Sequence, residues 1–374
     1  MNTPTDLSVI KTASSRPYLH GLSALRVVAM LFVFYCHLPT IPSFRYLYSS
    51  FFEPVRVGAI GVSFFFVLSG FSMIYNHSAE TMKGGLTRFL ARIAKFYPTA
   101  LFILVLSIPL GFVGGLRDRM HPVSIVANIL LLEAWHDAWN ITGVNWFLSA
   151  LAFFYLMFPF VNTALLSKTG FKFLAILAVV FWVVSLVGTT LNPGRAVFFK
   201  TFPAFRIFEF ILGMVAGRLY LRQPLLSRLI GLLYGIVGIV WLFAALFLQR
   251  HVAFFGETGV YTIWTPGAMA LVFALAHSDI RLDSHIGLII RFLSKISFAF
   301  FMFHYVALRY AHAALSVFGI EHSFLVGLAT GFAVFFLTIV WAKIWTDKIG
   351  PLLTKRFKSL VPISPFFQTP IRHN

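Results

Sequence analysis

Acidic side chains are scarce in this chain. Twelve Asp and Glu stand against thirty Lys and Arg, a formal net charge of +18, and charged residues make up only 11% of the 374 positions. A water-soluble domain has about a quarter of its residues charged, so the composition excludes that class. Cysteine is nearly absent: Cys36 stands alone, which excludes an intramolecular disulfide and any cysteine-based zinc site. No P-loop, GxSxG elbow or HExxH helix occurs, and no metal is expected. The first twenty residues are polar and lack an apolar h-region, so no cleavable signal peptide is expected before the first span. No internal repeat is visible.

What fills the chain is apolar: 59% hydrophobic residues, 45 of them Phe. Long apolar windows recur along its length, so an all-α, polytopic integral membrane protein is expected. Ten spans are placed near 22–40, 57–76, 96–115, 146–166, 172–191, 204–221, 229–248, 259–277, 292–315 and 323–345. With the N-terminus in the cytoplasm, twenty Lys and Arg fall on inner segments and nine on outer ends, Arg26 at the mouth of span one being the thirtieth. That bias satisfies the positive-inside rule with both termini cytoplasmic. The basic excess therefore sets topology, and the partner it implies is the lipid bilayer rather than nucleic acid. Residues 1–20 form a cytoplasmic tail, 21–346 the transmembrane domain, and 347–374 a Pro-rich basic tail lying on the inner surface or without fixed structure. The apolar part of 117–145 is too short to span, so this segment reads as an outer loop with a re-entrant or interfacial helix.

Polar residues inside a membrane are costly and mark function. Arg26 and His37 are eleven residues apart, which returns a helix to within about 20° of its starting face and places them about 16 Å apart on one stripe. His37 is expected near the midplane, where a neutral imidazole can act as a general base or simply pack against a neighbouring span. Cys36 lies about 100° round the helix from it. Gly58 and Gly61 read as close-packing positions. Arg88, Arg92 and Lys95 recur at i, i+4 and i+7 before Pro98, a basic stripe suited either to phosphates or to lipid headgroups. Arg206 and Glu209 share a helical face and are expected to pair as a structural salt bridge. His304 either lines the same cavity as His37 or merely packs, with packing the preferred reading. Trp135, Trp139 and Trp146, with Glu133, His136 and Asp137, cluster toward the outer side, either as an aromatic belt or as a sugar-binding surface.

Taken in order, these pieces resemble the membrane-bound acyltransferase-3 family over residues 17–345. Arg26-x10-His37 is similar to its leading motif, "GVSFFFVLSGF" (61–71) to its second-span motif, and "RFLARIAKFYP" (88–98) to its basic segment before a proline. "NWFLSALAFFYLMFPFV" (145–161), "FPAFRIFEFILGMVAG" (202–217) and "SKISFAFFMFHYV" (294–306) echo its later signatures. Ser23, Ser63 and Leu151 stand where many relatives carry acids. The resemblance implies an inner-membrane O-acyltransferase that uses a cytoplasmic acyl-CoA, acetyl-CoA first, and acts on a glycan, possibly lipid-linked, of an exopolysaccharide or O-antigen type. It implies His37 as base or transient acyl carrier, with Arg26 positioning it or engaging the donor. Arg88, Arg92 and Lys95 become candidate CoA contacts, and Ser69, Gly70 and Phe71 shape the path to the histidine. Arg218, Arg222 and Lys295 are the next phosphate candidates. The competing classes are an acyltransferase for a small glycosylated molecule, a transporter or flippase in which Arg26, His37, Glu209 and His304 line a pathway, and a structural export subunit.

Overall fold

The computed structural model describes residues 16–44, 57–80, 85–113, 117–136, 139–223, 228–252, 262–278, 280–320 and 323–360. Lys11, Lys83, Arg45, Arg56, Asp137 and the tail beyond residue 360 lie outside them. The described chain is all-α, and each of the ten predicted spans coincides with a helix. In chain order the principal helices are α1 (His20–His37), α2 (Val57–His77), α3 (Gly85–Ser107), a short α4 (Pro122–Ile129) that matches no predicted span, α5 (Trp146–Ala164), α6 (Lys168–Leu191), α7 (Pro203–Arg222), α8 (Arg228–His251), α9 (Thr265–Ala276), α10 (His285–Val317) and α11 (Phe324–Ile344). A π-helical turn, Trp345–Ile349, joins α11 to α12 (Gly350–Leu360). Eight helices are long and apolar enough to cross a membrane, which makes this a multi-pass membrane protein. Of the other two predicted spans, α7 carries Arg206, Glu209, Arg218 and Arg222, and α9 is 12 residues long, about 18 Å.

Local chemistry explains several helix starts. Ser167, Ser284 and Ser323 cap α6, α10 and α11, each hydroxyl accepting a backbone N–H of the first turn. Helix α3 begins eleven residues earlier than expected and runs through Pro98, so the basic stripe belongs to the spanning helix itself. Polar residues hid that start, and a proline inside a membrane helix is tolerated where neighbours satisfy the freed backbone. His37 is the last residue of α1, so it lies near one end of the span and not at its midpoint. The segment 347–360, expected as part of a loose tail, is helical.

Close backbone approach builds the centre. A Cβ at Gly70 would overlap the carbonyl of Phe210, and one at Gly213 would overlap the carbonyl of Val67, so α2 and α7 cross with their main chains in contact. Gly61 sits in the same way against Ala29 and Val33 of α1. Helices α1, α2, α7 and α10 supply most of the interior, and α6, α8 and α11 stand outside them. The loop after α3 packs back against that helix: the Tyr97 hydroxyl donates to the Ile129 carbonyl at 2.9 Å, and the Asn145 amide to the Ala100 carbonyl at 3.0 Å. Trp146 and Trp135 are thereby drawn into contact with Phe66 and Phe202.

Candidate functional site

Two histidines from distant spans meet. The His304 Nε2 lies 3.0 Å from the His37 Nδ1, and the His304 Nδ1 lies 2.6 Å from the Phe301 carbonyl. A carbonyl can only accept, so the His304 Nδ1 carries a proton, and in the neutral ring its Nε2 is then a lone pair. That lone pair takes the proton on the His37 Nδ1, which the Val33 carbonyl also accepts at 2.8 Å. The chain of donors fixes the tautomer of His37 and leaves its Nε2 as a free lone pair. His304 is thus more than a packing residue, although it is fully buried.

The ring of His37 is held on its other side by Tyr305, with centroids 4.8 Å apart. Tyr305 rests on Gly143, whose φ of +81° and contact with the tyrosine ring both require glycine. The tip of the loop after α3 therefore closes over the histidine pair. Cys36 gives its thiol to the Val33 carbonyl at 3.1 Å and packs on Gly58.

Below the pair, α1, α2, α3, α5 and α10 enclose a cavity of about 390 Å³. Arg26, Arg92 and Lys95 give it positive charge, and Ser69, Ser72, Asn76 and Tyr155 give it hydrogen-bonding groups. Its lining follows α2 from Asn76 to Phe65, eleven residues or about 16 Å. Phe65, Phe147 and Phe301 shut the deep end, with ring centroids 4.8 to 6.1 Å apart. Phe301 also touches His304, so the cavity stops directly beneath the histidines. Arg26 donates to the Ser72 hydroxyl at 3.2 Å, and among the described residues it has no carboxylate partner.

The predicted site residues divide. Arg26, Ser69, Arg92 and Lys95 line the cavity, and His37 lies just beyond its closed end. Arg88 does not line it. Gly70 and Phe71 turn the other way: Gly70 lies on the α7 backbone, and Phe71 is fully buried beside Tyr75 and Tyr220. The two residues follow Ser69 round the helix, and only one face of α2 meets the cavity. Arg92 forms an ion pair with Glu80, which His77 also contacts at 2.9 Å. Burial pushes the Glu80 carboxyl up, but the His77 hydrogen bond and the Arg92 guanidinium together outweigh it and hold that carboxyl below its ordinary value. Arg218 donates to Asn162, whose amide in turn holds the carbonyls of Ser78 and Glu80.

The expected Arg206–Glu209 pair is present, with Nε to Oε2 at 2.8 Å, both side chains fully buried. Ser63 and Thr265 donate to the other carboxylate oxygen at 2.6 and 2.7 Å, and the Lys200 carbonyl accepts from Arg206 at 2.9 Å. Ser63 thus reaches from α2 to the carboxylate of α7. Among the described residues no three His, Cys, Asp or Glu come together in a way that could hold a metal ion.

Similarity to known proteins agrees with this arrangement. Residues 19–344 match the family model described as an acyltransferase domain. The acyltransferase MdmB of Streptomyces mycarofaciens is 28% identical over 321 residues, covering 79% of this chain and 80% of that protein. The O-acetyltransferase OatA of Staphylococcus aureus strain NCTC 8325 is 28% identical over 179 residues, 44% of this chain but only 28% of that longer protein. No solved structure matches. With one family model spanning all the transmembrane helices, the chain belongs to the acyltransferase-3 family and is a membrane acyltransferase.

Proposed function

We propose that the protein is an O-acyltransferase of the cytoplasmic membrane that moves an acyl group, acetyl first, from acyl-CoA to a hydroxyl of a cell-envelope or extracellular glycan. The observation that carries this reading is a charged cavity that ends blind beneath a histidine whose tautomer is fixed. The cavity opens among the Lys and Arg that the positive-inside rule assigns to the cytoplasm. Thioester in the cavity would have its carbonyl near the Phe cluster, with Arg26 on the cavity wall nearer Ser72.

The free Nε2 of His37 is the reacting atom. As base it takes the proton of the acceptor hydroxyl while the oxygen attacks the thioester carbonyl, the C–S bond breaks, and the thiolate leaves with the pair and takes that proton from the imidazolium, which restores the neutral histidine. As acyl carrier the same lone pair attacks first. Both routes need the Nδ1 proton held in place, which is what Val33 and His304 do. A thioester needs proximity, a base and charge stabilisation. The dry Phe-rich surround suppresses hydrolysis. The relative named as an O-acetyltransferase favours a hydroxyl acceptor.

Purified protein with radiolabelled acetyl-CoA and a panel of lipid-linked and free glycans tests this. Label should pass to an alkali-labile ester on one acceptor; label that stays on CoA across acyl donors and acceptor classes would overturn the reading.

A further inference from the structure

A second concave site lies outside the machinery described so far. Between α3, α10 and α12 runs a groove of about 790 Å³ to which Lys95, Lys295, Lys355 and Lys358 all contribute, with Thr99, Thr354 and Ser359 beside them. Helix α12 forms one wall. It is pinned there by Phe357, whose ring meets that of Tyr97 at 4.9 Å. The π-helical turn before it is held by Trp345, which donates to the Thr99 hydroxyl at 3.1 Å.

The charge in this groove is unbalanced. Asp347 is bonded to Lys295 at 2.8 Å and to Lys343 at 2.9 Å. Among the described residues no carboxylate pairs Lys95, Lys355 or Lys358. Lys355 and Lys358 fall on one face of α12 at i and i+3, and both line the groove together with Lys95. Like charges gathered at this spacing repel. A fold that pins a helix to bring them together gains from a polyanion that neutralises them. The groove shares Lys95 and Phe298 with the cavity below the histidines, so one molecule can occupy both. The basic stripe of α3 cannot meet this need alone, since Arg92 is already paired with Glu80.

We propose that this groove binds the phosphate-bearing end of the acyl donor, the 3′-phosphate and diphosphate of CoA, and that α12 is a donor-binding element whose lysines engage phosphate oxygens while the thioester arm extends into the cavity. The inference rests on the acyl-CoA reading above. The same phosphate chemistry is offered by anionic lipid headgroups, so the test separates the two sources.

Binding of acetyl-CoA and of acetyl-pantetheine, which keeps the thioester arm without the nucleotide, is measured for the full-length protein in phosphatidylcholine nanodiscs. Lys355→Gln/Lys358→Gln should weaken acetyl-CoA at least tenfold, leave acetyl-pantetheine and the thermal midpoint unchanged, and flatten the salt dependence of acetyl-CoA binding. Lys355→Arg/Lys358→Arg should restore it. Wild-type affinity for acetyl-CoA in the Gln variant would overturn the proposal. So would a variant that loses retention of added phosphatidylglycerol while binding acetyl-CoA normally, which would assign the groove to lipid. If the wild-type protein binds acetyl-pantetheine but gains nothing from the nucleotide, the groove fails and the donor reading stands. If it binds neither, the donor reading fails and takes the groove with it.

Discussion

Helices α2 and α8 are of similar length and both span, yet 83% of the apolar window of α2 is buried inside the protein against 17% for α8. The more hydrophobic of the two is the one left outside. Helix α8 is rich in Leu, Ile and Val and presents most of them outward, Leu232, Val237 and Val240 among them. Helix α2 spends its length on Gly61, Ser63, Ser69, Gly70 and Ser72, which touch α1, α7, Glu209, the cavity and Arg26. In lipid, burying a Leu against protein gains little over leaving it in acyl chains, so small and polar residues mark the inside. A water-soluble protein would show the opposite order.

That contrast can be broken by substitution. The largest effect should come where the interior helices carry chemistry: His37→Ala should lower acyl transfer by about 10²–10⁴-fold while the protein still inserts, measured as label transferred from acetyl-CoA. Retained turnover would remove the histidine from the reaction. Next comes the knot on α7. Glu209→Leu leaves Arg206 as an uncompensated buried charge and should cost about 3–5 kcal/mol, read as lost thermal stability or failure to fold. Gly213→Ala drives a methyl into the Val67 carbonyl and should cost about 1–3 kcal/mol. Gly235→Ala on α8, where the nearest atom is the Ala274 Cβ at 3.7 Å, should be neutral or stabilising by up to about 1 kcal/mol. Equal effects at these two glycines would erase the distinction between the helices.

The smallest effect belongs to the rim. Because the folded Glu80 carboxyl is held below its ordinary value, it adds stability above that value and loses it as pH falls through the lowered one. Wild-type thermal midpoints should drop on acidification below about pH 4.5. Glu80→Gln should already lack about 1 kcal/mol at pH 7 and show a flatter acid limb.

Much of the fold was legible because membrane spans announce themselves by length and apolarity, and each of the ten predicted spans proved to be a helix. The ends were less so. The start of α3 is polar, and α12 is amphipathic and basic, so both read as surface segments. At the site, Arg26, His37 and the Arg206–Glu209 pair followed from helical spacing within one span. His304 did not, since its bond to His37 joins residues 267 apart in sequence and no periodicity encodes which spans touch. Gly70 and Phe71 shared a motif with Ser69 but not a face. A local pattern names the residues of a helix without saying which neighbour each one meets.

The histidine pair has one more consequence, and it concerns current. Among the described residues, a proton accepted at the Nε2 of His37 can be handed on only as far as the ring of His304, whose remaining N–H ends on the Phe301 carbonyl. A backbone carbonyl has nowhere to pass a proton, so this wire is a cul-de-sac. Charge that enters during a turnover must leave by the route it came. On the role proposed for His37, the pair would perform acid–base work inside the bilayer without short-circuiting the proton gradient, and reconstituted vesicles should hold an imposed pH difference during acyl transfer.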